Sequence, residues 1–321
     1  MSAAQRAIVV AGSTTVDLFI AGADHLPTLA NDGFRADNLA WCSEPLRMVV
    51  GGNGANTAFV LGRLGAPVRL FSAIGSDMLG DRMAGWLQAA GVDLSLLCRR
   101  ADAATSTSTV ITDAARHQIA FHHAGAYATT APADLPAGWD DGLAALLIAS
   151  FPLLAGLRGG GYAALLNAAK ARGAITAVDI GPAIGQPATL DEMRPLLPLV
   201  DYLIGNEHEL AVFAGSADDA VAASLAGGAR HVIVKRGAAG ARVHTVTGSV
   251  DVPALRVAVR QTVGAGDAFD AGLLWALVNG YDGAAAVRWG HATAAGVVMA
   301  DDGVLGAPAA AQVAALLGDI A

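Results

Sequence analysis

From about residue 67 onward, short apolar runs alternate with alanine-rich stretches that carry helical period. The runs at 68–72, 145–149, 175–179, 202–204 and 231–235 predict strands, and 79–90, 160–172 and 207–214 predict helices between them. Strands separated by helices predict βαβ units and a mostly parallel sheet covered on both faces. Two stretches break the rhythm. Residues 17–40 mix polar and apolar positions without helical period. Residues 106–111 and 118–122 alternate around Thr112-Asp113-Ala114-Ala115-Arg116-His117, the pattern of a β-hairpin. Together, segments 17–40 and 106–123 predict a small sheet over the edge of the main one. It is either a lid that excludes water from a reaction or an edge hairpin with no function. No internal repeat or linker stands out, so residues 1–321 are read as one domain.

Composition narrows the function. A charged fraction of 15% and a hydrophobic fraction of 54% predict a compact globular protein. The net charge of −8, with Lys and Arg scattered, argues against nucleic-acid binding. Cys42 and Cys98 lie far apart and outside paired-ligand spacing, so they are expected to be buried thiols of a cytosolic protein. The apolar run 7–11 after Arg6 is cut short by Gly12-Ser13-Thr14-Thr15-Val16-Asp17 and predicts a first strand, not a signal peptide. The longest apolar stretch, 143–157, is interrupted by Ser150 and Pro152 and is too short to span a bilayer. A soluble, cytoplasmic protein without a membrane partner is expected.

Four glycine- or carboxylate-bearing turns could carry chemistry. Gly51-Gly52-Asn53-Gly54-Ala55-Asn56 follows the strand-like 47–50 and precedes a helix with Ala55, Ala58, Phe59 and Gly62 on one face. Glycine admits close backbone approach and Asn56 offers a donor and an acceptor to a polyol, but a plain strand-to-helix turn reads the same way. Gly159-Gly160-Gly161-Tyr162-Ala163-Ala164 fits a dinucleotide fingerprint, with Asp179 twenty residues beyond Gly159. Against it, 151–158 separates the glycines from the preceding strand. Gly205-Asn206-Glu207-His208-Glu209 could orient the waters of Mg²⁺, or could be an Asn cap with Glu at N3. Val234-Lys235-Arg236-Gly237-Ala238-Ala239-Gly240 could admit nucleotide phosphates or form a simple hairpin turn. P-loop, nucleophile-elbow and H-E-x-x-H patterns are absent. His122 and His123 should point to opposite faces of a strand, which argues against a shared metal.

The heptapeptide Gln261-Thr262-Val263-Gly264-Ala265-Gly266-Asp267, ahead of the helix-like stretch 268–279, says most about function. Small residues leave backbone N–H groups uncovered at a helix N-terminus, where anions are favoured. The aspartate would repel such an anion. The conflict resolves if Asp267 handles a proton while the Gly264, Ala265 and Gly266 amides hold developing charge, the combination that phosphoryl transfer to a hydroxyl needs.

Taken in order with Gly12–Asp17, the turn near residue 51, Asn206–Glu209, the Lys235–Gly240 turn and Thr262–Asp267 resemble the ribokinase-like (PfkB-type) carbohydrate kinases across nearly the whole chain. The resemblance implies a three-layer α/β/α sandwich with a β lid, which often supplies a dimer contact. It implies Asp267 as the base, with Gly264, Ala265 and Gly266 as the anion hole. Sugar hydroxyls would be held by Asp17 and by the 51–56 turn, through Gly52 and Asn56 with Gly51 and Asn53 beside them. Asn206 and Glu209 would organise Mg²⁺ and phosphate, and Lys235, Gly237, Gly240 and His291 would border ATP. Three departures matter. Gln261 replaces the aspartate that commonly helps bind a monovalent cation, which argues against potassium activation. No glutamate follows strand 145–149, and Asp179-Ile180-Gly181-Pro182 lacks the usual Asn and Arg. The expected activity is ATP-dependent phosphorylation of a primary hydroxyl on a small sugar or sugar-containing metabolite. A nucleoside acceptor is the nearest alternative, with Phe121, Tyr127 and Phe151 as candidates for a wall against its base. A non-catalytic sugar-binding relative and a nicotinamide-dependent dehydrogenase are the readings from other classes.

Overall fold

The computed structural model describes residues 6–27, 33, 35–113, 115, 117–183 and 185–318. The first half of the chain runs β1 (Ala7–Gly12), β2 (Thr15–Ala23), β3 (Arg47–Gly51), α1 (Asn53–Arg63), β4 (Val68–Gly75), α2 (Met78–Ala89), β5 (Leu97–Arg100), β6 (Thr107–Asp113), β7 (Gln118–His123) and β8 (Leu143–Ala149). It continues with α3 (Gly161–Ala171), β9 (Ile175–Asp179), α4 (Leu190–Met193), β10 (Tyr202–Asn206), α5 (Glu207–Ala214), α6 (Ala217–Ala226) and β11 (His231–Lys235). Last come β12 (Ala241–Thr245), β13 (Gly248–Val252), α7 (Ala265–Val278), α8 (Gly283–Met299) and α9 (Ala310–Gly318).

Nine strands form the main sheet in the order β13-β12-β11-β10-β9-β8-β1-β4-β5, parallel from β11 to β5 and antiparallel at β12 and β13. Strand alternation sends side chains into two separate cores. Ile8 and Val10 pack with α1, α2, α7 and α8, while Val9 and Ala11 pack with α3, α5 and α6 on the other face. This is the expected three-layer sandwich. The run 7–11 forms β1, buried from Ile8 onward on both faces of the sheet, which is why it is uniformly apolar. No helix among the described residues is long and apolar enough to cross a membrane.

A second sheet, β3-β2-β6-β7, is the lid. It branches from the body where β1 leads through Ser13-Thr14 into β2, and it returns through β3 into α1. The predicted hairpin is β6–β7, joined antiparallel from Thr107↔His123 to Thr112↔Gln118. The parallel β2–β6 pairing makes the lid a mixed sheet, which adjacency in sequence could not reveal. Within segment 17–40, residues 28–32 and 34 lie outside the described residues, as do 114 and 116 of the hairpin turn. The expectation of two buried thiols is corrected: Cys42 is exposed beside the lid and Cys98 is half-buried.

Candidate active site

The C-terminal ends of the parallel strands bring Gly12, Asp179, Asn206 and Lys235 to one edge of the sheet, where ligands of open α/β sheets bind. The turn after β3 lies over this edge. Gly54 sits on β1 so closely that a Cβ there would stand 2.5 Å from the Gly12 carbonyl carbon. Gly52 adopts φ +82 against the Ser13 carbonyl, a conformation glycine tolerates. That seating aims two asparagines at α7. Asn53 Nδ2 donates to Asp267 Oδ1 and Asn56 Nδ2 donates to Asp267 Oδ2, each at 2.7 Å. The asparagines expected to meet a polyol therefore hold the carboxylate first. Asn56 Oδ1 is buried without a partner and remains able to accept a hydrogen bond.

Asp267 occupies the first turn of α7, behind Gly264 at φ +80. Burial pushes its pKa up to about 6, against the two amide hydrogen bonds. Of the three amides expected in the anion hole, Ala265 N–H is already bonded to Thr262 O at 3.2 Å. Those of Gly264 and Gly266 make no hydrogen bond among the described residues. Asp17, on β2, faces Asp267 from the lid. Burial pushes its carboxyl up to about 7, opposed by the neighbouring Ser108 hydroxyl and reinforced by Asp267. A Cβ at Gly51 would overlap the Asp17 carboxylate, so glycine there makes room for the acid.

Lys235 is less free than a phosphate-binding lysine would be. Its Nζ donates to Asp179 Oδ2 at 2.7 Å and lies 3.4 Å from Asp270 Oδ1. Burial pushes Asp179 up, but Lys235, Asp270 and the Gly181 N–H outweigh it and hold the carboxyl below its usual range. Burial drives Asp270 well above the usual range, with Lys235 opposing. Asp270 escaped the sequence reading. The signal was a carboxylate in an otherwise apolar helix, three residues after Asp267 and so on nearly the same face. Lys235 still sits under the helix N-terminus, its Nζ 3.5 Å from where a Gly266 Cβ would be.

Asn206 and Glu209 form the full capping box: Asn206 Oδ1 accepts from Glu209 N and Glu209 Oε2 accepts from Asn206 N. Burial and Asp179 raise the Glu209 pKa, with Lys235 opposing. Gly237 and Gly240 flank the hairpin turn between β11 and β12, closed by Arg236 N to Gly240 O at 2.8 Å. Beside them opens a cavity of about 540 Å³, walled by Ala265, Gly266, Phe269, His291, Leu255 and Val298. His291 Nε2 meets the Val252 carbonyl at 3.2 Å, and burial lowers its pKa to about 4, so the ring is neutral. Gln261 bridges Val297 O and Val263 N through its amide and so ties the heptapeptide to α8.

Two of the three aromatic candidates do not reach this site. Register puts Phe121 on the face of the lid opposite Asp17, and Phe151 is buried in a stack with Tyr162 at 4.4 Å. The dehydrogenase reading fails as well, because Asp179, its ribose-binding acid, is bonded to Lys235.

A carboxylate in the first turn of a helix thus lies next to a cavity at the open edge of a doubly covered sheet, an arrangement that suits phosphoryl transfer. A family model for the pfkB family carbohydrate kinases matches residues 6–309, and this chain belongs to that family. It is similar to a fructokinase of Rhizobium leguminosarum bv. trifolii, 35% identical over 71% of each chain. It is 28% identical to a nucleoside kinase of Methanothermobacter thermautotrophicus over 91% of this chain and 89% of that one. The fold matches a ribokinase of Arabidopsis thaliana in complex with ribose and ATP, at TM-score 0.83 and 22% identity, over 98% of this chain and 99% of that one.

Proposed function

We propose that the chain transfers the γ-phosphoryl group of ATP to a primary hydroxyl of a small sugar or sugar-containing metabolite, with Asp267 as general base. One observation carries this reading: Ala265 and Gly266 wall the cavity, and the next residue, Asp267, turns its carboxylate to Asn53, Asn56 and Asp17. A proton acceptor and an anion site share one helical turn, between a nucleotide compartment and an acceptor compartment. As the acceptor oxygen bonds to phosphorus and the bond to ADP breaks, the hydroxyl proton passes to Asp267. The free Gly264 and Gly266 amides, the helix dipole and the Lys235 ammonium stabilise charge on the transferring group. Asp17 and Asn56 Oδ1 hold the acceptor hydroxyls, and His291 with the Gly237–Gly240 turn borders the nucleotide.

Mg²⁺ fits the corner beside Glu209. Glu209 Oε1 has no protein partner among the described residues. No group of three His, Cys, Asp or Glu among them could hold a bare ion. An ion that keeps its waters and binds mainly through phosphate suits such a site, with Asn206 and Glu209 as its outer contacts. When bound it supplies charge neutralisation on the phosphates. Gln261 carries no charge with which to bind potassium and is committed to Val297 and Val263, which supports potassium independence.

A free sugar is favoured over a nucleoside, because a base needs an apolar wall and the lid presents Asp17, Ser108 and His122 on the site-facing side. The opposite face, with Ile119 and Phe121 exposed, supports a homodimer through the lid. ATP as donor implies a cytoplasmic location. Asp267→Asn is expected to lower kcat by at least about a hundredfold while ADP titration shows retained binding. Near-normal turnover would sink the base assignment. An ATP-consumption screen over sugars, nucleosides and sugar phosphates, with and without K⁺, identifies the acceptor class.

A further inference from the structure

The site-facing side of the lid carries a continuous row of polar groups that the phosphoryl step does not use. Asp17 pairs with Ser108 across the parallel β2–β6 ladder, and Ser108 pairs with His122 across the antiparallel β6–β7 ladder. Cross-strand neighbours share a face, so the three side chains stand in line. Ser108 is the direct cross-strand neighbour of Asp17, and its hydroxyl favours the ionised Asp17 carboxyl. Ser108 Oγ lies 2.9 Å from His122 Nδ1, and His122 Nε2 lies 2.9 Å from the Tyr127 hydroxyl. Tyr127 is of a different kind from the other three. It is buried in the core of the body with Phe71 and Val9, on a 3₁₀ turn at Gly125–Thr129, so the row ends on the rigid part of the molecule.

Proton counting gives this row one direction. An ionised Asp17 can only accept, so Ser108 donates its single hydroxyl proton to it. Ser108 Oγ then accepts from His122 Nδ1–H. A neutral ring protonated at Nδ1 has a bare Nε2, which accepts from the Tyr127 O–H. Burial and His123 hold His122 below its usual pKa, in agreement with a neutral ring.

We propose that Tyr127, His122 and Ser108 are positioning residues for Asp17: a relay, anchored in the body, that fixes the carboxylate toward the acceptor hydroxyls and so sets acceptor affinity. The proposal rests on the reading of Asp17 as an acceptor-binding group. The relay also latches the lid to the body through its one bond between Tyr127 and His122, so acceptor binding and lid position share the same hydrogen bonds.

The test uses the full chain at pH 8, where Asp17 is ionised, with ATP and D-fructose or D-ribose as acceptor. Ser108→Ala is expected to raise the acceptor KM about tenfold, the loss of one hydrogen bond to a charged group, with kcat within about threefold and the ATP KM unchanged. Ser108→Thr restores the hydroxyl and should recover most of the affinity. Tyr127→Phe, which keeps the buried ring, should raise the acceptor KM about threefold or more. Unchanged acceptor KM in both Ser108→Ala and Tyr127→Phe, or a parallel fall in kcat, overturns the relay. A second readout does not depend on turnover: ¹⁵N NMR of labelled histidine should show His122 protonated at Nδ1 with Nε2 accepting, and Tyr127→Phe should erase that preference. An Nε2–H ring in the unaltered chain overturns the proposal. If neither sugar is phosphorylated, the acceptor assignment fails while the tautomer still decides the relay.

Discussion

Two amide hydrogen bonds and deep burial act on Asp267 in opposite senses, and burial wins. The outcome suits a base, because a carboxylate near pKa 6 binds a proton more readily than one near 4 and is still ionised at neutral pH. With Asp267 as the proposed base, turnover requires its ionised form, so kcat/KM should fall as pH drops through about 6. Burial also raises Asp17, to about 7, and Asp17 repels Asp267, so the acid limb reports the pair, and Asp17→Asn isolates Asp267. Asn53→Ala removes a bond that favours the ionised form and should move the limb to higher pH; a limb that stays in place refutes the clamp. Stability carries a second signature. Asp17 is raised in the folded chain, so its contribution is fully present below the unfolded value near 3.8 and is lost as pH rises through about 7. Asp17→Asn should therefore raise Tm relative to the parent more at pH 8 than at pH 4, in paired thermal melts.

The short elements at the sheet edge do their positioning by backbone contact. Gly54 seats the start of α1 on the end of β1, and that seating aims Asn53 and Asn56 at α7. Gly54→Ala should cost about 1–3 kcal/mol in a urea melt, because the backbone at Gly12 cannot move aside as a flexible side chain could. The same variant should lower kcat by detaching the asparagines from Asp267, and full activity in a folded variant would refute the coupling. Here sequence and structure part in an instructive way. Strands Ile175–Asp179 and His231–Lys235 and helix Glu207–Ala214 were legible to the residue, because period and cap residues act locally. The asparagine clamp was not. Asn53 and Asp267 are 214 residues apart, and nothing in local pattern links them.

At the scale of the whole molecule, the lid has two unlike faces. One presents Asp17, Ser108 and His122 to the site; the other exposes Ile119 at 43% and Phe121 at 58%. An apolar face on a small sheet calls for cover, which the proposed homodimer would supply from a second copy of the chain. Sedimentation should show a dimer at micromolar concentration, and Phe121→Lys should shift it to monomer. A monomeric parent chain would remove the lid contact from the functional picture.

The sequence by itself determined the alternation of strands and helices, the hairpin of the lid and the placing of Asp267 in a glycine-rich helix start. Each of these depends on spacing within about a dozen residues, where backbone geometry ties pattern to structure. Only the tertiary structure decided what the candidate residues touch. It turned Asn53 and Asn56 onto Asp267, locked Lys235 between Asp179 and Asp270, sent Phe121 to the far face and lined up Asp17, Ser108, His122 and Tyr127. These are contacts between strands and helices far apart in the chain. Sheet register and close glycine packing set them, and both exist only once the parallel sheet has assembled.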